Sequence, residues 1–222
     1  MMHPDGTIRS KNVEPETGNL TSLLSATSLG PLSPEIAAKF DEYLALILRW
    51  NARMNLTAIR EPREILSRHF VESIACAQSL PDGIGSLLDF GTGAGFPGIP
   101  IALCHPEILV TLAESQGKKA AFLREAVRVL GLNSSVFGQR AESLAQQFDC
   151  VTLRAVDQME RAVAAAAGLL RPTGWLAVMT TMVELPVIQE AAGSQFNWSE
   201  PISLPGSDQR VLAVSSRVAN AA

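Results

Sequence analysis

The segment Leu87-Leu88-Asp89-Phe90-Gly91-Thr92-Gly93-Ala94-Gly95-Phe96-Pro97-Gly98 places one acid ahead of glycines at alternate positions. Glycines so spaced let backbone approach a ligand closely and admit positive φ, which residues with side chains resist. The turn therefore predicts a bound small molecule. Read from Gly93, with Gly95 and Gly98, the string also fits GxGxxG, the dinucleotide pattern, in which a pyrophosphate sits on a helix N-terminus. Asp89 argues against that ligand, because it would add negative charge beside an anion. S-Adenosylmethionine reverses the demand: its sulfonium and amino group are cationic, and an acid entering the turn suits its methionine end. A second acid, Glu114, stands 19 positions after Gly95 at the end of the next apolar run, where its carboxylate could accept from both ribose hydroxyls. That contact serves NAD equally, so Glu114 indicates a nucleoside and Asp89 the sulfonium. A dinucleotide, and a capping or turn role for Asp89, stay open.

Elements must hold this turn in place. After Gly85, apolar runs of strand length (87–90, 108–113, 135–137, 148–153 and 175–179) alternate with helical stretches or short connections. Continuous apolar strands separated by helices predict a parallel sheet covered on both faces, with the glycine turn at the carboxyl end of a central strand. Runs 195–204 and 210–218 have only the Pro205-Gly206 turn between them, so the sheet should finish with an antiparallel pair. Upstream the texture is helical. A short helix over 20–29 should stop at Gly30-Pro31. Ser33 offers an N-cap and Pro34 a first helical residue for an amphipathic helix through Trp50, and Pro62 restarts a helix reaching Ala77. The expected organisation is a flexible tail (1–18), a helical lobe (19–85) and a doubly wound, mostly parallel α/β domain (86–222).

Other chemistries find little support. Cys76, Cys104 and Cys150 are widely spaced in apolar surroundings and form no CxxC pair, so neither a disulfide framework nor a metal site is expected. No apolar run approaches the ~20 residues of a membrane span. The start, MMHPDGTIRSKNVEPE, lacks the apolar centre of a secretory signal, so a cytoplasmic protein is expected. With 222 residues, 47% of them hydrophobic, the chain can bury an ordinary core without staples.

Five ordered motifs resemble one family: Trp50-Asn51-x-x-x-Asn55-Leu56-Thr57, Arg68-His69-x-x-Glu72-Ser73, the Asp89–Pro100 turn, Ser115-x-Gly117-Lys118-Lys119-x-x-Phe122-Leu123, and Arg154-Ala155. Together they are similar to the glucose-inhibited division protein B family, bacterial methyltransferases of 16S ribosomal RNA, over about residues 20–215. The resemblance implies an α/β fold of the S-adenosylmethionine-dependent methyltransferase type. It implies transfer of a methyl group to N7 of one guanine in small-subunit RNA, with 16S RNA or the small subunit as partner. It also implies cofactor contacts from Gly91 and Phe96 in the turn, from Ala141 and Glu142 after the third strand, facing adenine, and from Arg154 after the fourth. Glu72 stands where the family commonly has Asp, and Thr180-Thr181 where relatives often carry Lys-Gly.

The implied chemistry fits a chain with few titratable candidates. Guanine N7 has an exposed lone pair and no proton, so in-line placement suffices and no catalytic base is expected. Of the three histidines, His3 lies in the tail and His105 in a loop, while His69 is mid-helix, suited either to packing or to contact with RNA or cofactor. RNA affinity rests largely on Arg and Lys. Although the net charge is −4, the stretch from Arg49 to Arg68 carries five arginines, Arg53 among them, against two glutamates, a local +3. From Lys118 and Lys119 to Arg140, five bases face one acid, a local +4. Arg49, Arg53, Arg68, His69, Lys118 and Lys119 are therefore the candidate RNA contacts, although solvated helix charge produces similar runs. Rival readings are a methyltransferase acting on a small molecule and a non-catalytic nucleotide-binding module. An NAD-linked oxidoreductase ranks below both, since no proton shuttle is visible near the turn.

Overall fold

A computed structural model describes residues 17–218. The expected tail, with His3, lies outside the described residues apart from Thr17 and Gly18, which open the first helix. That helix, α1 (Thr17–Ser25), ends short of Gly30. The next, α2 (Pro34–Asn51), begins as its sequence demands: Pro34 takes the first position and the Ser33 hydroxyl accepts from Ile36 N–H at 3.2 Å. Its apolar stripe buries Phe40, Tyr43, Leu44 and Ile47. The helix expected from Pro62 to Ala77 is present but not uniform. It consists of α3 (Pro62–Glu64), a seven-residue π-helix (Ile65–Val71) and α4 (Glu72–Gln78).

The remainder alternates strand and helix as β1 (Ser86–Phe90), α5 (Gly98–Cys104), β2 (Leu109–Ala113), α6 (Gly117–Val129), β3 (Ser134–Phe137), β4 (Phe148–Arg154), α7 (Met159–Gly168), β5 (Leu170–Thr181), α8 (Leu185–Ala192), β6 (Phe196–Trp198), β7 (Ile202–Ser203) and β8 (Arg210–Arg217). The sheet order is β3-β2-β1-β4-β5-β8-β6, with β7 also on β8. Strands β1 to β5 pair in parallel, while β8 runs antiparallel to β5, β6 and β7. The doubly wound, mostly parallel sheet with antiparallel C-terminal strands is thus present. The single strand expected over 195–204 is two short pieces, because Pro201 lacks the N–H that an unbroken ladder needs.

Successive strand residues point to opposite faces, and two cores result. Leu87, Leu112, Cys150 and Val214 join α5, α6 and the N-terminal helices on one face. Leu88, Val151, Leu153 and Val178 join α7 and α8 on the other. The N-terminal helices therefore share the core of the sheet. Cys76 and Cys150 are buried free thiols and Cys104 is half-buried. Among the described residues no helix is long and apolar enough to cross a membrane, and no cluster of ligating side chains could hold a metal ion.

Candidate active site

Strand order reverses beside β1: β2 and β3 follow on one side, β4 and β5 on the other. Loops leaving the carboxyl ends of neighbouring strands diverge at such a point and leave a crevice. Here it is a cleft of about 650 Å³. Gly91 to Ala94 and Phe96 form its floor, Glu114 to Gln116 follow β2, Gln139 to Glu142 follow β3, and Arg154 to Gln158 follow β4. From the N-terminal part, Leu56 and Thr57 in the loop after α2 and His69 on the π-helix complete the lining.

Gly93 holds φ +60°, and a Cβ built on it would meet nothing within 4 Å. The loop thus presents bare backbone to open space, the cradle that a nucleoside-sized ligand requires. Glu114 is only 7% exposed, and one carboxylate oxygen accepts from Gln116 N–H at 2.7 Å, which fixes its direction at the tip of β2. Ala141, buried, and Glu142, exposed, sit on the 3₁₀ turn Ala141–Ser143 in the same wall. The loop is braced from the lobe as well. The Tyr43 hydroxyl, fully buried on α2, donates to Ala94 O at 2.6 Å.

Two expected ligand contacts need correction. Asp89 does not line the cleft: it is 0% exposed, and its Oδ2 accepts from the Thr92 hydroxyl and from Gly98 N–H at 2.8 Å. Its Oδ1 accepts from the Thr152 hydroxyl at 3.0 Å. Donors from the loop and from β4 engage both oxygens of this acid, so it braces the turn from beneath. Gly95 likewise faces inward, where a Cβ would lie 2.5 Å from Ile99 Cδ1 and 2.7 Å from the Tyr43 hydroxyl. It lets helix α2 approach rather than a cofactor.

Burial pushes the Asp89 carboxyl up to about 6 against the opposing pull of its three hydrogen bonds. Its folded value therefore exceeds the ordinary value of 3.8. Between those two pH values the folded state binds more protons than the unfolded, so stability falls as pH rises through the window. The melting temperature of Asp89→Asn should lack this component. Subtracting the variant's pH profile from that of the wild type should reveal a one-proton slope of the stated sign between about pH 4 and 6, and a flat difference would contradict it.

His69 lies against Phe96, ring centroids 4.7 Å apart, with Nε2 3.1 Å from the Thr57 hydroxyl. Burial, reinforced by the positive charges of Arg154 and Arg68, lowers its pKa to about 3. The ring is neutral near pH 7 and is not poised to shuttle protons. Arg154 reaches from the end of β4 to the π-helix, where it donates to the carbonyl oxygens of Arg68 at 2.6 Å and His69 at 3.4 Å. It also pairs with Glu72 at 2.9 Å, whose other oxygen takes Arg210 at 2.7 Å. Arg154 therefore ties the cleft wall to the lobe. Thr57, Asp157 and Arg210 were not singled out from the sequence as site residues. Arg210 meets Glu72 across 138 positions, and no local pattern signals that distance.

The basic residues separate into groups. Lys119 is on the cleft. Arg49, Arg53 and Lys118 converge with Trp50, Met54 and Glu125 on a second depression of about 460 Å³ between α2 and α6. Arg49 is paired with Glu125 there, whereas no ion pair engages Arg53 or Lys118 among the described residues. Arg68 also falls outside the cleft, since its guanidinium pairs with Glu64 one helical turn away.

A profile of the rRNA small subunit methyltransferase G family matches residues 36–204. The chain belongs to that family. It is 46% identical over 179 residues to ribosomal RNA small subunit methyltransferase G of Stenotrophomonas maltophilia strain K279a, covering 79% of this chain and 84% of the relative. The protein of that name from Roseiflexus castenholzii is 40% identical over 208 residues, covering 87% and 89%. Among solved structures, a SAM-dependent methyltransferase from Aquifex aeolicus superposes with TM-score 0.56 at 17% identity, over 70% of this chain and 93% of that one. That likeness concerns the fold alone. The cleft has the glycine loop, Glu114 and the Ala141-Glu142 turn on one side, and His69, Arg154 and the loop after β4 on the other.

Proposed function

We propose that this enzyme transfers the methyl group of S-adenosylmethionine to N7 of a guanine in 16S ribosomal RNA, in the cytoplasm, where that RNA resides. Family membership supports the rRNA methyl transfer, and the observation that carries the site is the side-chain-free floor at Gly93 facing open space. S-Adenosylmethionine supplies an electrophilic methyl group when bound. The residues toward it are Gly91, Gly93 and Phe96 on the floor, Glu114 for the ribose, and Ala141 with Glu142 beside the adenine. Asp89 acts by holding the loop in shape.

The chain's own work is placement. Tyr43 and Asp89 fix the floor from two sides, so the loop is organised before a ligand arrives. A neutral His69 suits this reaction because N7 carries no proton to abstract and the methylated purine is cationic, so an imidazolium beside it would oppose the product. Incubation with labelled S-adenosylmethionine and small subunits, or naked 16S RNA, from a strain lacking the enzyme tests the reading. Mapping should find label as 7-methylguanine at one position. Label in a small-molecule fraction, or on another atom, would overturn it.

Arg53 and Lys118, exposed and without ion pairs among the described residues, are proposed to meet RNA phosphates beside the cleft. Each phosphate neutralised contributes about 0.7 to 0.9 to the slope of log affinity against log salt. The double variant Arg53→Ala with Lys118→Ala should therefore flatten that slope by roughly 1.5 and leave cofactor affinity unchanged. An unaltered slope in a filter-binding titration would remove the proposed contacts.

A further inference from the structure

The loop joining β4 to α7 carries two non-glycine residues in the left-handed region, Ala155 at φ +48° and Gln158 at φ +54°. Backbone of this kind concentrates where a site requires a side chain in a direction that relaxed geometry does not give. Between them stands Asp157, exposed on the cleft wall. No hydrogen bond or ion pair engages its carboxylate among the described residues, and no side chain caps the helix that follows. The two other acids on the wall, Glu114 and Glu142, follow β2 and β3 on one side of β1, the side of the glycine floor and the proposed nucleoside contacts. Asp157 follows β4 on the other. It is the free carboxylate on the half of the cleft left for the acceptor.

We infer that Asp157 reads the acceptor base, its carboxylate accepting from N1–H and the 2-amino group of guanine; this rests on the guanine-N7 reading above. Those two donors lie on the Watson–Crick edge, through which unpaired RNA bases are commonly read. N7 lies on the opposite edge. A base held by Asp157 therefore keeps its lone pair free, whereas an Arg or Lys bound to O6 and N7 would occupy it. Adenine offers an acceptor at N1 and no 2-amino group, so a carboxylate rejects it. The same negative charge offsets the positive charge that methylation places on the purine.

The test uses the full enzyme with 16S RNA carrying either guanine or inosine, which lacks the 2-amino group, at the mapped position. Asp157→Ala should lose roughly 10- to 100-fold in kcat/KM on the guanine RNA, the loss expected for a hydrogen bond to a charged group. Asp157→Asn, which keeps the shape, should fall in the same direction. Inosine should cost the wild type roughly 10-fold and cost Asp157→Ala nothing more, since the partner of the 2-amino group is already gone. Calorimetric affinity for S-adenosylmethionine should be the same in all three proteins. An equal inosine penalty in wild type and Asp157→Ala overturns the assignment, and so does a matching loss of cofactor affinity. A wild type that labels no guanine defeats the N7 reading itself, and shows this before any variant is compared.

Discussion

Replacing Gly93 by valine is expected to weaken S-adenosylmethionine binding at least 100-fold while the protein stays folded. The position combines φ +60° with open space beyond its Cα. A Cβ there meets nothing within 4 Å, and the side chain projects into the volume proposed for the cofactor. The backbone cost is real, since L-residues are disfavoured in the left-handed region by about 1–2 kcal/mol, yet that is a fraction of an ordinary domain stability of about 5–15 kcal/mol. The two effects separate by experiment. Thermal melting should shift by a few degrees, whereas calorimetry should show little or no heat of cofactor binding. Gly95→Val gives the contrast, because a Cβ at that position meets Ile99 and the Tyr43 hydroxyl at distances no real contact tolerates. It should lose stability first and binding as a consequence. Unchanged cofactor affinity in folded Gly93→Val would mean that the cofactor does not lie on this floor.

The contrast between those neighbouring glycines also marks how far the sequence could be read. Alternation of glycine after an apolar strand was enough to locate the loop, and the apolar runs located β1 to β5, because strand-length burial on two faces leaves few other patterns. Direction was not legible. Asp89 stood in the right place for a ligand, but whether a ligand or the loop's own hydroxyls and N–H groups satisfy it depends on Thr92, Gly98 and Thr152 arriving together. The π-helix was hidden for a related reason. The spacing of four from Leu66 to Phe70 and from Phe70 to Ile74 suits an α-helix, and a short π-helical stretch shifts these residues too little to break the pattern. Charge counts found basic segments without telling which bases are paired: Arg49 and Arg68 meet acids on their own surface, whereas Arg53 and Lys118 have no ion pair among the described residues. The Glu72 cluster was invisible altogether, being assembled from three elements.

That cluster sets the other large expectation: Glu72→Ala should destabilise the protein by about 3–5 kcal/mol. The carboxylate is 1% exposed and divides its oxygens between Arg154, whose side chain is 13% exposed, and Arg210, at 30%. Removing one partner of a buried pair leaves the remaining charge uncompensated, and here two guanidiniums lose the same anion and face each other. For a chain of this length each kcal/mol corresponds to about 2–4 °C, so melting should drop by roughly 6–20 °C. Glu72→Gln keeps an acceptor for one arginine and should lie between. Glu72→Asp retains the charge but shortens its reach by one methylene, and it should preserve one pair better than both. If the cluster acts as a unit, Glu72→Ala combined with Arg210→Ala will cost less than the sum of the single changes, because the second substitution removes a charge that the first had stranded. Additive losses, or a Glu72→Ala protein within about 1 kcal/mol of wild type, would mean that the lobe is held to the sheet by its apolar core alone and that Arg154 needs no anchor.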